Sequence, residues 1–200
     1  MMKKWVIIKL LLLVVVFSQN VFSTEVDPQQ LIKQVTDRVL GEIKINSDDY
    51  RANPDKLFAL VDEVVLPHFN FVAMTNLALH RHRQEFNDEQ KIKIVHEFKT
   101  LLIRTYGKAL LEYSNQGVNY LDMLGSVEKG KVKVKTEVTQ AGGLDIPLDY
   151  SLRLGKQGWK VYDIQVDGIS LVTNYRSSFS REITKNGVEG LIKLLHERNQ

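Results

Sequence analysis

Residues 158–179 read GWKVYDIQVDGISLVTNYRSSF, and the fold turns on how this stretch is read. It opens with the alternation of a strand, breaks at Gly168, and restarts as a helical segment ending in aromatic residues. A strict period of two places Trp159 and Val161 on one face and Tyr162, Ile164 and Val166 on the other. Both faces are then largely apolar, whereas a strand at the margin of a sheet normally keeps one wet face. The reading predicts a strand covered on both sides, or one that borders a cavity filled by something apolar.

Working back from this strand, the same period continues. Lys131 to Val138 alternates as a half-wet strand should, and Ile146, Leu148, Tyr150, Leu152 and Leu154 do so in the next. Turn signals at Glu128-Lys129-Gly130, Ala141-Gly142-Gly143 and Gly155-Lys156-Gln157-Gly158 divide the region from Gly117 onward into four strands of a meander. Pro147 lacks a ladder donor, which predicts an edge position or a bulge.

Before Gly117 the period is helical. Asp27-Pro28 with Gln30 is a helix start, followed by Ile32, Val35, Val39 and Ile43 on one face. Asn46 to Asp49 reads as a loop. Asn53-Pro54 opens a second helix with Leu57, Leu60, Val61, Val64 and Val65 inward. Asn70 caps a third, Phe71 to Leu79. Asn87-Asp88-Glu89-Gln90 starts the longest helix, predicted to about Tyr113 with Ile92, Val95, Phe98, Leu102, Tyr106 and Ala109 in its stripe. Past Gly168 the chain is helical again, with Asn186-Gly187 marking off a last segment from Val188. The fold class is α+β: N-terminal helices packed on a curved, four-stranded antiparallel meander, then C-terminal helices.

The first residues predict a compartment. Lys3, Lys4 and Lys9 form a basic region, Leu10 to Phe17 an apolar one, and Val21-Phe22-Ser23 a cleavage pattern: a secretory signal peptide over 1–23, leaving 24–200 as a single domain. The run from Leu10 to Phe17 is far short of the roughly 20 residues a bilayer-spanning helix needs. The leader holds three of the 27 basic residues, and the 24 that remain balance the 24 acidic ones. A balanced mature chain gives no support for nucleic-acid binding, which calls for a clustered basic surface. Cysteine is absent, which excludes thiol catalysis, disulfides and thiolate metal sites.

Enzyme motifs mostly fail. Gly168-Ile169-Ser170 lacks the second glycine of a nucleophile elbow, and phosphate-loop and dinucleotide patterns are missing. His80 and His82 would point about 200° apart on a helix, which reads as exposed helix-end histidines rather than a metal pair. Asp163 and Asp167, four apart on a strand, share a face. In a cone-shaped sheet either could act as a general base, or the row could simply hydrogen-bond loops at the sheet margin. Phe69, Phe71, Tyr106, Tyr150, Tyr162, Tyr175 and Phe179 lie on every element that would line a helix–sheet interface. That pattern fits an ordinary core as well as a cavity.

Four segments carry a resemblance: 65–71 (VLPHFNF), 98–106 (FKTLLIRTY), 159–164 (WKVYDI) and 168–179 (GISLVTNYRSSF). In this order, between residues 65 and 179, they resemble the MlaC family, also called toluene-tolerance auxiliary proteins. After Leu79 the family usually has a glycine and soon an aromatic residue, whereas this chain reads His80-Arg81-His82-Arg83. Asn70 also stands where Asp is common.

The resemblance implies a periplasmic phospholipid carrier, not an enzyme, with an apolar cavity between helices and sheet and no cofactor beyond bound phospholipid as cargo. The implied partners are an inner-membrane ABC transporter bearing an MCE-domain ring and an outer-membrane lipoprotein–porin complex. Hiding two acyl chains, on the order of 30 methylenes at ~0.8 kcal/mol each, involves about 24 kcal/mol relative to water. Nearly all of it merely matches what a bilayer offers, so the slot must be deep and dry, and head groups can stay in solvent. The expected lining is Phe71, Met74, Leu102, Tyr106, Val134, Tyr150, Ile164, Val166, Leu171 and Tyr175, with Arg176 near the head group.

Overall fold

The computed structural model describes residues 26–113, 115–140 and 142–200, so the signal peptide expected over 1–23 lies outside the described residues. Helix α1 (Pro28–Ile45) begins where the sequence places it. The Asp27 carboxylate accepts from the backbone N–H groups of Gln29 and Gln30 at 2.9 and 3.0 Å, and Pro28 presets the first turn. The stretch expected to be a loop instead forms a short helix, α2 (Ser47–Ala52), which turns Tyr50 into the interior. Helix α3 (Pro54–Val64) buries Leu57, Val61 and Val64 and leads through a 3-10 turn, Leu66–His68, to α4 (Phe71–Leu79). The Asn70 side chain caps α4 by accepting from Ala73 N–H at 2.9 Å.

A second 3-10 segment, His80–Glu85, precedes α5 (Asp88–Tyr106), whose capping box is complete: Asn87 and Gln90 exchange two bonds of 2.9 Å. This helix stops at Tyr106, seven residues short of its expected end, and a separate α6 (Ala109–Tyr113) follows. The break falls at Gly107, where a Cβ would meet the Phe58 ring at 3.2 Å. The buried face of α5 is Ile94, Phe98, Leu101 and Leu102, while Ile92 is exposed. The expected stripe ran 92–95–98, and two consecutive three-residue steps drift by about 120° around a helix, so Ile92 and Phe98 cannot share a face.

The sheet contains β1 (Val118–Tyr120), β2 (Leu124–Ser126), β3 (Lys131–Val138), β4 (Ile146–Gly155), β5 (Gly158–Val166) and β6 (Ile169–Ser170), all pairs antiparallel. The order is β1-β3-β4-β5-β6, with β2 beside the other end of β3. The four-stranded meander is thus present, its first strand split into β1 and β2, and β6 added at the far side. Asp167 and Gly168, with φ of 49° and 75°, form the two-residue turn that folds β6 back on β5. Pro147 pairs with Glu137 near the end of β4, just past the last β4–β5 pair, Leu148 with Val166. The Pro147 carbonyl accepts from Asp167 N–H at 2.9 Å, so the missing N–H of Pro147 falls at the end of the β4–β5 ladder.

Helix α7 (Leu171–Arg198) starts with the Ser170 hydroxyl accepting from Thr173 N–H at 3.1 Å. It breaks at Gly187, whose φ of 72° and ψ of −177° are not helical. The two helical segments expected on either side of Asn186-Gly187 are therefore both there.

The two-faced apolar strand needs correcting. The β4–β5 register shifts between Ser151 and Leu152: Ser151 pairs with Asp163, but Leu152 pairs with Val161. Tyr162 is the extra residue of a β-bulge. The insertion reverses the alternation, so Trp159, Val161, Ile164 and Val166 all share one face, with Leu148, Tyr150, Leu152 and Leu154 of β4 beside them. Across β3 the same face carries Val132, Val134 and Thr136. The opposite face is polar: Lys133 Nζ lies 2.7 Å from Gln165 Oε1 and 3.8 Å from Asp149. Tyr162 also turns to that side, its ring 5.6 Å from the Arg153 guanidinium.

Candidate functional site

The buried apolar residues fall into three clusters rather than one. The first joins α4, α5 and α7 through Met74, Phe98, Val172, Phe179 and Leu191 among others. The second is the apolar sheet face, Val132, Val134, Leu152, Trp159 and Val161, covered by Ile32 of α1. The third joins α1, α2, α3 and α6 around Ile43, Leu57 and Leu111.

Side chains at the cluster margins stay half-buried although they are large and apolar. Phe69, Phe71, Tyr106 and Tyr175 flank the helical cluster; Leu31, Phe69, Tyr120, Tyr150 and Ile164 flank the sheet cluster. Among the described residues, Phe69 alone flanks both. It is held there by backbone: Asn70 N–H donates to the Val161 carbonyl at 2.8 Å, and Phe69 bridges to Val161 in parallel fashion. The Phe69 and Phe71 rings stack with centroids 5.8 Å apart. Tyr175 meets Phe98 edge-on at 5.1 Å.

The phenols report a dry setting. Burial, and after it the neighbouring Tyr175 hydroxyl, pushes Tyr106 up to about 12. Burial, with Tyr120 adding to it, raises Tyr150 as well. One buried donor on the apolar sheet face, Trp159 Nε1–H, has no hydrogen-bond partner among the described residues. A buried donor left unpaired costs about 1–3 kcal/mol.

The ten residues expected to line a slot divide by position. Phe71, Tyr106 and Tyr175 on the helical side, and Tyr150 and Ile164 on the sheet side, are the half-buried ones. Met74, Leu102 and Val134 are sealed inside their clusters, at 1, 7 and 0 % exposure. Val166 and Leu171 are half-buried at the end of β5 and the start of α7. Arg176 donates from Nε and Nη2 to the Leu77 carbonyl at 3.3 and 3.2 Å, near the C-terminus of α4, where a cation is favoured. Phe69 was visible only as one aromatic residue among several; its bridge to β5 is a long-range contact without a local signal.

The two aspartates do not make a general-base site. Asp163 lies on the polar side of the sheet, buried, and its carboxylate accepts from Val172 N–H at 3.4 Å at the start of α7. Asp167 is an exposed turn residue. Of the two histidines, His80 is exposed as expected, but His82 is buried, which corrects the expectation. Its Nδ1 lies 2.7 Å from Glu85 Oε1 and its Nε2 2.9 Å from Ser180 Oγ, so both ring nitrogens are engaged. No group of three or more His, Asp or Glu suited to a metal occurs among the described residues. No helix among them is long and apolar enough to cross a membrane.

Known proteins share this arrangement. A phospholipid-binding protein from Ralstonia solanacearum, solved in complex with a phospholipid, superposes with a TM-score of 0.80 at 37% identity, covering 86% of this chain and 97% of that one. The toluene tolerance protein ttg2D of Pseudomonas putida is 27% identical over 161 residues, 80% of this chain and 74% of the relative. The intermembrane phospholipid transport system binding protein MlaC of Haemophilus influenzae is 25% identical over 199 residues, 98% of this chain and 93% of the relative. The model of the MlaC protein family matches residues 33–197, nearly all of the α+β domain described above, and the chain belongs to that family.

Proposed function

We propose that this protein is a periplasmic phospholipid carrier that holds acyl chains between the helical cluster and the apolar sheet face. The observation that carries the reading is the likeness to the Ralstonia solanacearum protein, which was solved with a phospholipid. The bulged sheet, with its whole apolar row on one side, and the half-buried Phe71, Tyr106, Tyr150, Ile164 and Tyr175 are its physical counterpart here. Acyl chains gain from dry apolar walls at about 25 cal/mol per Å². The unpaired Trp159 Nε1–H has the right chemistry for an ester oxygen at the base of a head group.

In this reading the lipid is cargo and not a resident cofactor, and no bond is made or broken. Exchange takes place with an inner-membrane ABC transporter bearing an MCE-domain ring and with an outer-membrane lipoprotein–porin complex. Net movement comes from differences in affinity between those partners and from ATP spent by the transporter, because a carrier equilibrating with two membranes moves nothing uphill.

The test is intact mass spectrometry under native conditions of the mature protein, purified without detergent, followed by solvent extraction. A single diacyl phospholipid per chain is expected. A clean apo mass, together with failure to take up lipid from vesicles, would overturn the reading.

A further inference from the structure

His80, Arg81 and His82, from the segment where this chain departs from its family resemblance, form one wall of a cleft of about 400 Å³. The other wall is α7, through Arg176, Ser177, Ser180 and Arg181, with Leu79 at the base. Among the described residues, no carboxylate lines this cleft. Among the described residues, none of Arg81, Arg176 and Arg181 forms an ion pair with a carboxylate. Three guanidinium groups thus line one concave place.

We propose that this cleft binds a phosphoryl group. Guanidinium forks match phosphate oxygens bidentately, and the Ser177 hydroxyl beside them adds a neutral donor. The wall is fixed in place. His82 Nδ1–H donates to Glu85, leaving Nε2 to accept from the Ser180 hydroxyl and, at 3.3 Å, from Arg81 Nε–H. That chain of bonds ties the 3-10 segment to α7 and orients Arg81. Across the cleft, Arg176 is fixed through Leu77 and has donors left over. His80 is held at φ 50°, an unusual conformation for a residue with a side chain.

The Glu85–His82–Ser180 connectivity is also that of a hydrolase triad. Ser180, however, lies inside α7, where neighbouring backbone N–H groups are committed to the helix and offer no oxyanion hole. Binding, not hydrolysis, is what the geometry supports.

Phosphate could reach the cleft as a lipid head group or as a free ion. The test is a titration of the mature protein with inorganic phosphate at constant ionic strength, followed by backbone amide NMR shifts, on delipidated and phospholipid-loaded protein. Saturable shifts confined to 79–83 and 176–181 are expected. Arg181→Gln should weaken binding about tenfold, the scale of one charge-assisted contact. Arg83→Gln, with the same charge loss but outside the cleft lining, should change it less than about twofold. If loaded protein no longer responds, the head group of bound lipid is the source; if it responds equally, the site takes a free phosphate. Shifts that do not saturate, or equal losses in both variants, overturn the proposal. Lipid occupancy is measured separately by mass spectrometry, and the site does not depend on the carrier reading.

Discussion

Val161 and Ile164 lie three residues apart in one strand and yet on the same face of the sheet, because Tyr162 is the extra residue of a bulge. Deleting Tyr162 restores simple alternation without moving any apolar side chain across the sheet. Such a variant should fold, with a loss within about 3 kcal/mol. Deleting Lys160 instead throws Trp159 onto the polar face or opens the Gly155–Gly158 hairpin, costing at least the about 3–5 kcal/mol of a truncated core aromatic. Denaturant unfolding of the two variants settles the matter; equal losses would mean that the bulge does not set the faces.

Phe71 and Phe98 are both aromatic residues of the helical cluster, but Phe98 is fully buried and Phe71 only half. Phe98→Ala should cost about 3–5 kcal/mol of stability. Phe71→Ala should cost clearly less, and should lower the share of protein that carries lipid on native mass spectrometry. Full occupancy in Phe71→Ala would remove it from the slot.

Asp163 serves the N-terminus of α7, so its amide isostere can still accept from Val172 N–H. Asp163→Asn should keep both fold and lipid occupancy. Asp163→Ala leaves that N–H unpaired and should cost about 1 kcal/mol. Loss of lipid occupancy in the Asn variant at unchanged stability would show that the carboxylate has a role beyond capping.

The raised phenols predict an alkaline signature. Tyr106 should ionise near 12, with a folded value above the ordinary value of 10.0. For an acid whose neutral form is favoured by folding, stability is complete below the unfolded value and falls as pH climbs from about 10 toward 12. Phenolate absorbance against pH should show a late rise that is smaller in Tyr106→Phe, with the Tyr150 contribution remaining. A single step for all tyrosines near 10 would contradict this.

At Gly187 the backbone, φ 72° and ψ −177°, lies in a region that only glycine enters freely, and nothing stands within 4 Å of an added Cβ. Gly187→Ala should therefore cost about 1–3 kcal/mol through conformation alone. An unchanged melting temperature would mean that the two parts of α7 tolerate another junction.

What the sequence made legible was local. Asp27, Asn70 and Asn87 each act within three residues of themselves, and each caps the helix it marks. The bulge was not legible, because an unpaired residue is defined only by the partner strand. Short α2 carries no periodic signal in six residues. Nor was the buried state of His82, whose partner Ser180 lies 98 residues away. Among the expected lining residues, Met74 and Val134 have the same apolar character as Ile164. Character alone does not separate a sealed position from a half-open one.

The two edges of the sheet carry a last consequence. An exposed strand edge is a template on which other chains can add, and long flat edges lead to aggregation. Here one edge is taken up by Phe69, Asn70 and β6, which together occupy the outer side of β5. The other is interrupted, since β1 and β2 are three residues each and separated by Leu121 to Met123. Neither side offers a long continuous row of free backbone groups to a second copy. The chain can thus keep a strongly apolar sheet face in its interior while denying neighbouring molecules the ladder along which β-rich proteins stack.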